Sequence, residues 1–135
     1  MRYMKAAVFI EPGRIALQEK PVPPVGTGEA RIRITTTTIC GTDVHILKGE
    51  YPVERGRIVG HEPVGVIDEV GPGVTGYEPG QRVIVGAITP CGQCYACLDG
   101  HSSQCKGRPM GGWRFGNTID GCQAEYVLFR MQWRT

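Results

Sequence analysis

Ala30-Arg31-Ile32-Arg33-Ile34-Thr35-Thr36-Thr37-Thr38-Ile39-Cys40-Gly41-Thr42-Asp43 is the stretch that decides the fold. Ala30, Ile32 and Ile34 alternate strictly with Arg31 and Arg33, which predicts a strand with one face buried. The β-branched run to Ile39 extends it, because branched side chains pack well on a pleated surface. Outward from it, Met4 to Ile10 is an apolar run ended by Pro12-Gly13, and Ile15 to Lys20 alternates loosely and stops at Pro21. The prolines of Pro21-Val22-Pro23-Pro24 bar a helix and predict an extended linker. Further strands are expected at Val64 to Val70, at Arg82 to Ile88 behind a Pro79-Gly80 turn, and at Gln123 to Phe129. No window longer than about ten residues holds a clean helical stripe. The helices expected are therefore short, one from Asp43 to Lys48 and one turn around Tyr95 to Leu98. Short strands joined by turns, without βαβ alternation, predict a mainly β fold in one domain spanning residues 1–135.

Composition agrees. A hydrophobic content of 41% supports a packed core, and 20 glycines and 10 prolines are spread between the apolar runs as turns require. A formal charge of +2, from 15 basic and 13 acidic residues, gives no electrostatic footprint for nucleic acid. No apolar stretch approaches the roughly 20 residues of a membrane span, and no secretory signal opens the chain. The expected location is the cytoplasm, with no nucleic-acid or membrane partner.

Four of the six cysteines crowd together as C-x2-C-x2-C-x7-C: Cys91, Cys94, Cys97 and Cys105. Two residues between ligands let a tight loop aim successive sulfurs at one point, and zinc takes four thiolates in a tetrahedron. Pro90, Gly92 and Gly100 supply turns, and Lys106 and Arg108 could offset the negative charge of such a centre. Zinc is favoured over an iron–sulfur cluster and over disulfides, which would close very small rings in a reducing compartment. Four thiolates leave no open position, so this metal is expected to be structural. Cys40 and the pair His61-Glu62 are a weaker signal. A thiolate, an imidazole and a carboxylate suit an open zinc site, yet a lone cysteine or histidine is commonly a packed or hydrogen-bonded core residue.

Gly71-Pro72-Gly73-Val74-Thr75-Gly76 matches the G-x-G-x-x-G form of a dinucleotide loop. That loop works by opening a helix whose N-terminus holds a pyrophosphate. Here Pro79-Gly80 follows, so the run is predicted to be a turn between strands.

Cys40-Gly41-Thr42-Asp43-Val44-His45, followed by Gly60-His61-Glu62-Pro63-Val64-Gly65, Val70-Gly71-Pro72-Gly73-Val74, Gly80-Gln81-Arg82-Val83 and the cysteine lobe, resembles the zinc-containing medium-chain alcohol dehydrogenases. The resemblance covers nearly everything from Lys5 to Phe129. It implies a GroES-like fold, a partly open β-barrel with short helices and a zinc lobe at about 88–110. It implies that Cys40 and His61 are catalytic zinc ligands, and that Glu62 binds the metal in some states and leaves it in others. Thr42 would take the alcohol proton, His45 would continue the relay, Asp43 would orient the ligand histidine, and Trp113 would form a wall of the substrate pocket. Thr42 and Asp43 could instead cap the short helix, and Trp113 could be core. Gly112-Trp113-Arg114-Phe115-Gly116-Asn117 looks like the secondary-alcohol branch. The reaction implied is hydride transfer between an alcohol or ketone and NAD(P).

In the family a further catalytic zinc ligand and a Rossmann nucleotide-binding domain come from sequence beyond residue 135. The expectation is therefore a domain that is inactive alone and holds its catalytic zinc weakly or not at all. The alternatives are a non-catalytic zinc-binding module and a structural or interaction protein of GroES-like fold. Cys40, Thr42, His61 and Glu62 favour an enzymatic origin. A bare strand edge near Ala124 to Phe129, softened if Trp133 folds over it, leads us to expect a homo-oligomer.

Overall fold

In the computed structural model, residues 1–106 and 113–130 are described. Strand β1 (Tyr3–Glu11) turns at Pro12-Gly13 and pairs antiparallel with β2 (Arg14–Pro21). The second sheet is antiparallel, with β3 (Glu29–Thr37) at its centre between β4 (Pro63–Val70) and β6 (Tyr126–Arg130), and β5 (Arg82–Ile84) outside β4. Helix α1 (Gly41–Leu47) follows β3, and α2 (Tyr95–Leu98) with a 3-10 turn at Ser102–Gln104 forms the cysteine lobe. The fold is mainly β, as the alternation predicted.

Period-2 patterning builds the main core. Ala30 and Ile32 are buried, and across the ladder Ile32 faces Ile67 on one side and Val127 on the other. These side chains close on Phe115 and Cys122. Each buried isoleucine contributes about 1.5–3 kcal/mol relative to exposure. Arg31, on the opposite face, is held by Asp68 and Glu69, each at 2.7 Å. Strand β1 joins the two sheets: Ala6 bridges Ala124 and Val8 bridges Ile58. The Ala7 amide donates to the Gln123 carbonyl at 2.8 Å, and the Val59 amide donates back to Ala7 at 3.1 Å. The two small sheets, joined through β1, are consistent with a GroES-like, partly open barrel.

Several boundaries differ from the sequence expectation. Strand β5 ends at Ile84 and not at Ile88. Its last ladder bond runs from the Val85 amide to the Pro63 carbonyl, and Pro63, at the start of β4, has no amide to return. Strand β6 starts at Tyr126 and not at Gln123. The amides of Cys122, Gln123 and Glu125 are taken by Gly60, Val59 and Lys5 and not by β3. The exposed edge is correspondingly shorter than expected, because β1 covers Ala124 and Glu125. Helix α1 starts at Gly41, so Asp43 lies inside its first turn. Arg108, Gly112 and Trp133 lie outside the described residues.

The G-x-G-x-x-G run opens no helix. It is a turn that ends β4 and leads to β5, with the Gly71 amide donating to Glu29 and the Gly28 amide to Pro72, both at 2.8 Å. A Cβ at Gly71 would lie 1.9 Å from the Gly26 carbonyl oxygen. This glycine serves a close approach of two backbone segments.

Candidate metal centres

Two clusters of metal-ligating side chains form among the described residues, and they are the two read in the sequence. In the lobe, Cys94 Sγ lies 3.5 Å from Cys97 Sγ and 4.0 Å from Cys105 Sγ, and Cys91 Sγ lies 4.0 Å from Cys97 Sγ. All six cysteines are free thiols. Four sulfurs at 2.3 Å from one centre would be about 3.8 Å apart. The observed spacings bracket that tetrahedron edge, so the lobe residues fit a four-thiolate metal.

The local backbone prepares those sulfurs for negative charge. Amides of Cys94 and Gln93 point at Cys91 Sγ at 3.3 and 3.5 Å, and that of Lys106 at Cys94 Sγ at 3.4 Å. The Cys91 amide points at Cys105 Sγ at 3.3 Å. Amide donors favour a thiolate over a thiol. The amides of Cys97 and then Lys106 bring the Cys94 thiol down to about 6, and those of Gln93 and Cys94 lower Cys91. Burial pushes Cys97 up to about 11. Lys106 acts here through its main-chain amide.

The second cluster is assembled from separate turns. Cys40 leaves β3 and caps α1, and His61 follows the turn before β4. Their Sγ and Nε2 atoms lie 3.4 Å apart. Glu62 joins them, with Oε1 4.0 Å from His61 Nε2, while its Oε2 accepts from the Thr38 hydroxyl. The three candidate ligand atoms lie within 4.8 Å of one another. Three donors of mixed type suit an open zinc site better than a closed one.

A buried frame holds the two turns. Ile46, one of two buried residues of α1, packs on Phe9 and Val59, and Trp113 lies against the same cluster. Asp43 is also buried and accepts from the Cys40 amide at 2.9 Å. Gly60, beside His61, has φ +99°, and a Cβ there would lie 2.6 Å from Gln123 Cγ. Of the other residues singled out, Thr42 is half-buried on α1 and His45 is exposed and paired with Glu50. The Trp113 ring stands edge-on to His61 with centroids 5.5 Å apart, its indole N–H donating to the Phe115 carbonyl at 2.9 Å. Asp43 Oδ1 and His61 Nδ1 are buried and have no hydrogen-bond partner among the described residues.

Two neighbours escaped sequence reasoning. Tyr51 stands edge-on to both His45 and Trp113, at 6.0 and 5.8 Å, completing an aromatic rim from His45 to His61. Gln123 donates from Nε2 to Asp43 Oδ2 at 3.3 Å. Neither sits in a spacing pattern that names its partner. The only available hint was that Tyr51 and Gln123 are polar-tipped residues close to motif residues.

Comparison with known proteins agrees with the geometry. Residues 26–134 match the family described as the alcohol dehydrogenase GroES-like domain. An alcohol dehydrogenase of Cupriavidus necator is 61% identical over 93% of this chain, and the chain spans 38% of that relative's length. A zinc-dependent alcohol dehydrogenase 2 from Streptococcus pneumonia, in its apo form, superposes with TM-score 0.86 at 39% identity, covering 98% of this chain and 37% of its own. A thermostable alcohol dehydrogenase from Pyrobaculum aerophilum, solved with cobalt and zinc bound, gives TM-score 0.87 at 34% identity, covering 96% of this chain and 39% of its own. No helix among the described residues is long and apolar enough to cross a membrane.

Proposed function

The chain belongs to the alcohol dehydrogenase GroES-like domain family, and from that premise we propose that it is the substrate-side domain of a zinc-dependent, NAD(P)-linked alcohol dehydrogenase acting on small alcohols and their ketones. The observation that carries the reading is the meeting of Cys40 Sγ, His61 Nε2 and the Glu62 carboxylate from two separated turns. Cys91, Cys94, Cys97 and Cys105 would hold a second, structural zinc.

A zinc ion held by Cys40, His61 and Glu62 supplies a Lewis acid that lowers the pKa of a bound alcohol. The chain's own residues do the rest on the substrate side. Thr42 receives the alcohol proton at its hydroxyl. His45 lies three residues further along α1, so the two share a helix face. Its exposed ring, paired with Glu50, carries the proton toward solvent. Trp113, with Tyr51 against it, stands beside His61 as a wall of the substrate side, and the preference for a secondary alcohol rests on the resemblance of residues 112–117. With Nε2 facing the metal, His61 would carry its proton on Nδ1; that atom and Asp43 Oδ1 are both buried and have no hydrogen-bond partner among the described residues. The two atoms do not bond to each other here, so the role of Asp43 in orienting the histidine rests on the family resemblance and on its hold on the Cys40 turn. NAD(P), when bound, would take up the hydride; none of the described residues is assigned to it.

Cobalt tests the reading. Metal-free chain titrated with Co(II) should develop thiolate charge-transfer bands from two sites, and adding a small secondary alcohol should perturb the bands of one only. Cys40→Ser should abolish the alcohol response and leave the lobe bands intact. A perturbation that survives Cys40→Ser, or that vanishes instead with Cys94→Ser, would sink the assignment.

A further inference from the structure

Gln123 stands where three separate segments meet. Its carbonyl accepts from Ala7 of β1 at 2.8 Å, and its amide donates to Val59 at 2.9 Å, immediately before the Gly60-His61 turn. Its side-chain stem fills the space a Cβ of Gly60 would need, approaching that position to 2.6 Å. The side-chain amide then reaches Asp43 Oδ2 at 3.3 Å, the same oxygen that accepts from the Cys40 amide at 2.9 Å. One side chain therefore touches the turn that carries His61 and the carboxylate that fixes the turn carrying Cys40.

The energetics make this contact matter. Asp43 is only 6% exposed, and a buried carboxylate is tolerated only where donors surround it. Its donors among the described residues are the Cys40 amide and Gln123. The Gln123 amide holds the carboxylate in an orientation that keeps Oδ2 on the Cys40 turn and leaves Oδ1 unpartnered among the described residues. Without that donor the carboxylate can rotate, and both the cap of α1 and the free acceptor lose their fixed positions. Polar groups one layer behind metal ligands commonly tune affinity by about 10- to 100-fold.

We infer that Gln123 is a positioning residue of the Cys40–His61 centre, locking the two ligand-bearing turns in one frame through Asp43 and the Gly60 turn. The inference rests on the reading of Cys40, His61 and Glu62 as a metal centre. It gives a glutamine outside every motif a role in that centre.

The test is a Co(II) titration of the full chain followed by absorbance, with the lobe site as internal control. Gln123→Met keeps the length and packing of the side chain and removes its donor. It should weaken cobalt at the Cys40–His61 site by at least about 10-fold, with lobe affinity unchanged. Gln123→Asn, which keeps the amide but falls one methylene short of Asp43, should weaken it too, and it decides the matter if the Met variant does not fold. In an Asp43→Ala background, Gln123→Met should cause little further loss, because the glutamine acts through that carboxylate. Unchanged affinity in both glutamine variants, equal loss at the lobe site, or full additivity with Asp43→Ala would each overturn the inference while leaving the metal centre standing. If the parent chain binds cobalt at the lobe alone, the metal-centre reading itself fails and the inference falls with it.

Discussion

The two clusters of ligand side chains are built in opposite ways. The lobe takes all four sulfurs from residues 91–105, and its own backbone amides point at them. The Cys40–His61 cluster takes its ligands from two turns and depends on Phe9, Ile46, Val59, Asp43 and Gln123 to bring them together. A closed, purely structural site can be specified by local spacing. An open site must keep a face free for a substrate, so its rigidity has to come from behind, through the core.

The largest effect expected from breaking this contrast is at the lobe. Cys94→Ser removes the sulfur that lies nearest Cys97 and within 4.0 Å of Cys105. Binding energy for a structural zinc, about 10–16 kcal/mol in small zinc modules, is largely folding energy for so small a segment. The variant should lose the lobe metal and become cleavable between Gly92 and Lys106, with the Cys40–His61 site retained. Metal analysis and limited proteolysis read this directly. A metal-free lobe that resists protease would show that packing and not metal holds it.

A smaller loss is expected from cutting the support of the other site. Ile46→Ala empties a fully buried position under α1 and should cost about 2–5 kcal/mol. Because α1 carries Thr42, Asp43 and the turn from Cys40, this change should weaken the open site and spare the lobe. Denaturation followed alongside metal content distinguishes the two. If both metals are lost in step, the sites are one cooperative unit and the contrast fails.

The smallest effect concerns protonation within the lobe. In the metal-free chain, amide donation holds Cys94 near 6 against an ordinary thiol value of 9.0, and burial holds Cys97 near 11. For Cys94 the folded value is depressed. Its contribution to lobe stability is therefore full above about pH 9 and lost as pH falls through about 6. Around neutral pH Cys94 is a thiolate and Cys97 a thiol. Iodoacetamide labelling from pH 5 to 8, read by mass spectrometry, should modify Cys94 ahead of Cys97 with a rise centred near pH 6. Preferential labelling of Cys97 would contradict the amide-donor account.

Legibility in the sequence followed the range of the interactions. Alternation in Ala30 to Ile34 predicted β3 because the period-2 signal is local and one face is buried. The lobe was readable from spacing, and the false dinucleotide run was rejected because Pro79-Gly80 forbids the helix it needs. The ends of β5 and β6 were misplaced because Pro63 and the amides of Cys122, Gln123 and Glu125 have distant partners. The open site was a weak signal from its residue types and became specific only through the resemblance, since the 20 residues between Cys40 and His61 say nothing about where the chain doubles back.

By itself, then, the sequence determined a mainly β domain, a local four-cysteine cluster and the identity of the residues capable of holding a second metal. The period of side chains along a strand and the reach of neighbouring cysteines are properties of a few consecutive residues. Only the tertiary structure decided that Cys40 Sγ and His61 Nε2 meet at 3.4 Å, that Tyr51 joins His45 to Trp113, and that Gln123 braces Asp43. Those contacts depend on how strands far apart in the chain register and on which buried side chains fill the space behind them.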